Sequence, residues 1–161
     1  MILPLILATA SLLAATQASA LSCLRPDPAT AFQRAADASE EYVVLNGTFT
    51  FDETAMPGDV TPDGPEAPPA HVPATFSGNY LTADGFVETY EGPLTLAPVC
   101  AGPWCGSLDA PADMLAFALL QDGAMTVEIS PCYDMVFTDP SREALMKVVS
   151  CMQGGDCSPL E

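Results

Sequence analysis

The apolar positions of this chain change period near residue 139. Before it they alternate or run in short blocks, and after it they recur at helical spacing. "YVVLNGTFTFDE" is β-branched and aromatic from Tyr42 to Phe51 and predicts a strand, with Gly47 marking a bulge or a sharp coil. "ATFSGNYLTADGFVETYEG" predicts further extended structure, with turns at Gly78 and at Asp84-Gly85, and "PLTLAPVC" predicts another short strand. Met114 to Gln121 and Met125 to Ser130 predict a hairpin across Asp122-Gly123, a pair suited to positive φ. In its second arm Met125, Val127 and Ile129 alternate with Thr126, Glu128 and Ser130, so one face is buried. Its first arm, "LAFALL", is apolar on both sides and predicts a buried strand.

Two helices frame these strands. Ala29 to Ala38 predicts a short helical turn with Phe32 and Ala35 or Ala36 facing in. "TDPSREALMKVVSCMQGG" predicts a longer helix, with Asp139 as N-cap, Pro140 at the first helical position and Gly154 as terminator. Ala144, Leu145, Val148, Val149 and Met152 form its apolar stripe. Met56 to Pro73 holds six prolines and two glycines, which suit neither ladder nor helix, and predicts a long disordered loop. It is no domain boundary, because too little chain precedes it to fold alone. The order of five or so strands and then a helix predicts one mainly β domain over residues 21–161.

Residues 1–20, "MILPLILATASLLAATQASA", are apolar and end in Ala18-Ser19-Ala20, the pattern of a signal peptide cleaved after Ala20, although no Lys or Arg precedes the apolar run. Pro4, Thr9, Ser11, Thr16 and Gln17 interrupt it too early for a membrane helix. The expected location is therefore the periplasm or the exterior, with no membrane span in the mature form. "ALSC", Ala20 to Cys23, loosely resembles a lipoprotein cleavage box but lacks its leucine, and lipidation would keep Cys23 from any disulfide.

All 6 cysteines lie after the signal segment, and an even count in an exported chain predicts disulfides whose pairing stays open. Lys and Arg number 4 against 21 acidic residues, a net charge of −17. Such a surface repels phosphates, which excludes nucleic acid as a partner. It keeps the chain soluble by self-repulsion and favours a monomer, while leaving a cationic partner or cation binding as an alternative.

Candidate chemistry is sparse. His71, the one histidine, sits among prolines, which does not hold a catalytic base beside a nucleophile. The Cys100/Cys105 spacing just fits a zinc pair and Cys151/Cys157 does not, and in an exported chain disulfide-bonded cysteines are expected over a zinc site. Glu40-Glu41, Asp52-Glu53 and Glu88/Glu91 read as solvated edges, although a carboxylate-dependent enzyme would need two such groups to converge. Met114, Met125, Met135, Met146 and Met152 read as core packing rather than copper ligands, and Trp104 as packed over a neighbouring disulfide. No metal and no cofactor is expected.

Cys23, Pro28 and Ala31-Phe32, followed by "YVVLNGTF" and a long variable loop, resemble the start of the netrin-like module, whose best-known members are the tissue inhibitors of metalloproteinases. "YEGP", Cys105-Gly106, "LAFALL", Asp122-Gly123, "MTVEIS" and Cys132 match that family's later order, so the resemblance spans Ser22 to Val136. It implies a five-stranded OB-type barrel with a C-terminal α-helix, and the disulfides Cys23–Cys132, Cys100–Cys105 and Cys151–Cys157. The family's first cysteine, whose amine and carbonyl chelate the protease zinc in the inhibitors, falls on Leu21, and a further one falls on Gln33. The resemblance implies a non-catalytic module that binds another protein through Leu21, Ser22, Cys23, Cys100, Trp104, Cys105 and Gly106. A cation-binding protein and a carboxylate-dependent enzyme are the alternatives.

Overall fold

The structure is a computed structural model that describes residues 21–58 and 70–160. Residues 1–20, read above as a signal peptide, and residues 59–69 of the Pro-rich loop therefore lie outside the described residues. The chain runs α1 (Pro28–Asp37), β1 (Glu41–Phe51), β2 (Val72–Thr82), β3 (Gly85–Pro98), β4 (Cys100–Ala101), β5 (Trp104–Cys105), β6 (Ala112–Gln121), β7 (Ala124–Ile129), β8 (Val136–Thr138) and α2 (Arg142–Met152). It is a mainly β protein with a C-terminal helix.

β1 organises the sheet because it pairs on both sides. It runs antiparallel to β2 from Leu45/Tyr80 to Phe51/Ala74, and antiparallel to β6 from Glu41/Leu120 to Phe49/Ala112. β2 pairs β3, β3 runs parallel to β7, and β7 pairs β6, so the hydrogen-bonded circuit returns to β1. β8 extends from β6, and β4 with β5 forms a separate small hairpin.

Strand alternation feeds two apolar clusters. Leu45 and Phe49 of β1 and Met114, Ala116 and Ala118 of β6 join Phe76, Leu96, Val127 and Ile129 in the first. Val44, Leu115 and Phe117, on the opposite faces of the same strands, meet Ala31 of α1 and Val148 of α2 in the second. "LAFALL" is apolar on both sides because both of its sides are covered.

Glycine decides where β1 and β2 meet. Gly47 faces Gly78 directly in the ladder. A Cβ built on Gly47 would stand 2.7 Å from the Cα of Gly78, and one on Gly78 equally close to Gly47. The Phe76 ring lies over both, 3.0 Å from the first such position and 2.8 Å from the second, and packs on Phe49 with ring centroids 4.9 Å apart.

Several expectations are corrected. Gly78 is not a turn but the middle of β2, and Gly47 carries a close approach without a register shift. "VETYEG" and "PLTLAP" are one strand, so "YEGP" lies inside β3. The Met56–Pro73 loop ends earlier, since Val72 and Pro73 already belong to β2. Asp139 does not cap α2: its N–H donates to the Asp113 carbonyl, its φ is 46°, and Ser141 caps instead by accepting from the Ala144 N–H. Ala29 and Ala31 are the most buried residues of α1, with Phe32 and Ala35 only half-buried. Met146 and Met152 are exposed rather than packed. β8 and the β4–β5 hairpin were too short to leave a periodic signal.

Substituting Gly47→Ala forces a methyl against the opposite backbone. It is expected to lower the unfolding free energy by about 1–3 kcal/mol in urea titration. Gly58→Ala, which meets nothing within 4 Å, is expected to stay within about 0.5 kcal/mol of the parent.

Candidate functional site

The residues singled out from sequence fall on two short segments fastened to one turn. The first is the β4–β5 hairpin. Gly102 turns it with φ 62°, and the Trp104 ring lies 3.9 Å from a Cβ position there. Cys100 faces Cys105 in register and bonds to it with Cα atoms 4.0 Å apart. At its base the Gly106 N–H donates to the Val99 carbonyl at 2.9 Å, and the Val99 N–H to the Ile129 carbonyl at 3.0 Å. Gly106 is buried, and a Cβ there would overlap the carbonyl oxygen of Ile129, so only glycine lets the hairpin sit on the end of β7.

The second segment is Leu21-Ser22-Cys23. Cys23 bonds to Cys132, with Cα atoms 5.4 Å apart across a separation of 109 residues. Cys132 belongs to the turn that leaves β7. Tyr133 there has φ 52°, donates its N–H to the Ser130 carbonyl at 3.0 Å, and donates its hydroxyl to the Ser107 carbonyl at 2.8 Å. Ile129 to Tyr133 therefore holds the hairpin on one side and the N-terminal segment on the other. Leu21 is partly exposed, Leu24 almost fully so, and Trp104 is half-buried. The third disulfide, Cys151–Cys157, closes the end of α2 away from these segments in sequence. These are the pairs that the resemblance implies. Gln33, one of the two positions where the family would carry a cysteine, instead donates to the Cys157 carbonyl at 2.8 Å.

Sequence reasoning missed the residues that brace the turn. Asp134 accepts from the Ser130 hydroxyl and pairs with Arg34 of α1. Partial burial pushes the Asp134 carboxyl up, but the Ser130 hydrogen bond and the Arg34 guanidinium outweigh it and hold the group below its ordinary value of 3.8. Beside this pair opens a cleft of about 180 Å³ lined by Arg34, Tyr42, Phe117, Glu128 and Asp134. A shallower hollow of about 370 Å³, lined by Ser107, Leu108, Asp109, Tyr133 and Thr138, lies on the Tyr133 side. Arg34 could have been suspected as one of only 4 basic residues. Tyr133 and Asp134 carried no signal beyond following Cys132.

All six cysteines are bonded, so no thiol nucleophile is present. His71 is exposed, as are Glu40, Glu41, Asp52, Glu53, Glu88 and Glu91. Among the described residues no three His, Cys, Asp or Glu side chains stand together as metal ligands, and no helix is long and apolar enough to cross a membrane. The site offers backbone groups, exposed leucines and an aromatic ring on a braced support. No protein-family model, curated protein or solved structure matches the chain.

Asp134 contributes stability where it is ionised, at pH above the ordinary carboxylate value, and loses it as pH falls through its lowered one. Asp134→Asn is expected to cost less than about 1 kcal/mol at neutral pH, because the pair is partly solvated. The difference should shrink in urea titrations as the pH falls below the ordinary carboxylate value and vanish once it passes the lowered one. Removing Cys23 and Cys132 together is expected to cost about 4–5 kcal/mol, against about 2 kcal/mol for Cys151 with Cys157, from the loop lengths each bond closes. Thermal melts of the two double-serine variants check the ranking, and non-reducing peptide mapping checks the pairs themselves.

Proposed function

We propose that this chain is an exported, disulfide-stabilised module that binds another protein and performs no catalysis. In this reading the pairing circuit is an OB-type barrel similar to the netrin-like module, and the mature form begins at Leu21 as a monomer in the periplasm or outside the cell. The observation that carries the reading is the joining of two sequence-distant segments at one turn. Cys23 is bonded to Cys132, and the Cys100–Gly106 hairpin rests on Ile129, three residues earlier. Two covalently closed segments braced by Tyr133 and Asp134 form a support with little freedom to lose on binding, which favours recognition. Exposed Leu24 and half-buried Trp104 supply apolar and aromatic contact of the kind that anchors interfaces.

Leu21 stands where the inhibitors carry their zinc-chelating cysteine, so the partner need not be a metalloprotease. The test is affinity capture with oxidised residues 21–161, repeated with Trp104→Ala and with Leu21→Asp. A specific partner should be captured by the parent and bound at least about tenfold more weakly by both variants, with melting temperatures unchanged. Capture indifferent to both substitutions removes the proposed surface. Assays against a metalloprotease panel separate the inherited mode from a new one.

A further inference from the structure

β3 is paired unevenly. On one side it pairs β2 along almost its whole length, from Val72/Leu96 to Thr82/Gly85. On the other, β7 takes only Thr95 to Pro98. From Phe86 to Leu94 no described strand occupies that second side. In an antiparallel pair alternate residues aim their N–H and C=O groups away from the partner, so among the described residues this stretch presents a ladder with no second strand. An edge of this kind is a template for another strand.

The edge is solvent-facing and held in shape. Val87 is 57% exposed, and Glu88, Thr89 and Glu91 are exposed beside it. Tyr90 anchors the stretch from beneath, stacking on Phe76 at 6.1 Å and donating its hydroxyl to the Pro93 carbonyl at 3.4 Å. The Ala83–Asp84 turn bounds one end, where Gln153 of α2 donates to the Ala83 carbonyl at 2.9 Å. Pro93, which has no N–H to offer, bounds the other.

Charge selects the occupant. Asp84, Glu88 and Glu91 line the edge, and among the described residues none of them has a cationic partner. The two ion pairs that form use Arg34 and Lys147 elsewhere. A second copy of this chain would set Glu88 and Glu91 against their own kind on a molecule of net charge −17, which opposes edge-to-edge pairing. An extended basic segment meets the same edge favourably. Its backbone completes the ladder, and its cations face Glu88 on one side of the sheet and Glu91 on the other. A small apolar residue of the segment falls beside Val87.

We propose that the free edge of β3, from Phe86 to Gly92, takes an extended basic polypeptide segment by strand addition. This surface is separate from the Leu21–Cys23 and Cys100–Gly106 segments, and it stands or falls without them. The test is NMR titration and amide hydrogen exchange on oxidised residues 21–161, with a short peptide alternating lysine and valine as probe. A glutamate–valine peptide and a backbone N-methylated lysine–valine peptide serve as controls. Shifts and protection confined to Phe86–Gly92, weakening by at least about tenfold in high salt and in the Glu88→Lys/Glu91→Lys variant, support the proposal. An unchanged melting temperature in that variant separates lost binding from lost folding. No shift at millimolar peptide overturns it, as do shifts mapping elsewhere. Equal binding of the N-methylated peptide would mean charge attraction without strand pairing, and self-association through these residues without peptide would make a second copy the occupant. Either result also overturns it.

Discussion

The structure depends on one strand serving two ladders. β1 bonds β2 and β6 at once from Leu45 to Phe49, and among the described residues no other pairing closes the circuit in its place. Where β1 meets β2 the two backbones come very close. Gly47 and Gly78 remove both side chains at that point, and the Phe76 ring refills the space above them. The cost in backbone entropy of two facing glycines is offset by a ring buried to 0% exposure against Phe49.

From that closure the rest follows in order. The inner faces of β1 and β6 fill one cluster and their outer faces require a cover, which α1 and α2 supply through Ala31 and Val148. Covering helices fix where the chain enters, and Asp27 ties that entry by capping α1 and accepting from the Leu160 N–H at 2.8 Å. The N-terminal segment ahead of Asp27 is then led to the end of β7, where Cys132 holds it. The proposed binding surface is thus a product of the sheet's closure rather than a feature added to it. The stretch of β3 that no described strand pairs on its second side has the same origin, because β7 is shorter than the strand it joins.

Much of this was legible in the residues. The Asp122-Gly123 hairpin, the alternation of β7, the two-sided β6 and the helical stripe of α2 all stand as their patterns suggest, because each is written in local periodicity and turn chemistry. The misreadings share a cause. Gly78 followed by asparagine looks like a turn, and only the strand opposite makes it a point of close approach. Asp139 followed by proline looks like a cap, and its N–H is instead engaged by Asp113 across the sheet. Met152 fits the helical period, but α2 buries Ala144, Val148 and Cys151, so Met152 and Met146 are left at the surface.

By itself the sequence determined the longer strands and the two helices, the even cysteine count and the acidic surface, since these rest on composition and on neighbours a few positions apart. The netrin-like resemblance added the disulfide pairs, which the structure carries, and an expectation about the surface that remains a proposal. Tertiary structure alone decided which glycine turns and which one packs. It also decided that Tyr133 and Asp134 brace a turn, and that most of β3 has one side without a described partner. Those outcomes depend on contacts between residues tens of positions apart, such as Tyr133 with Ser107 and Arg34 with Asp134. Local pattern carries no record of such contacts until the chain has folded.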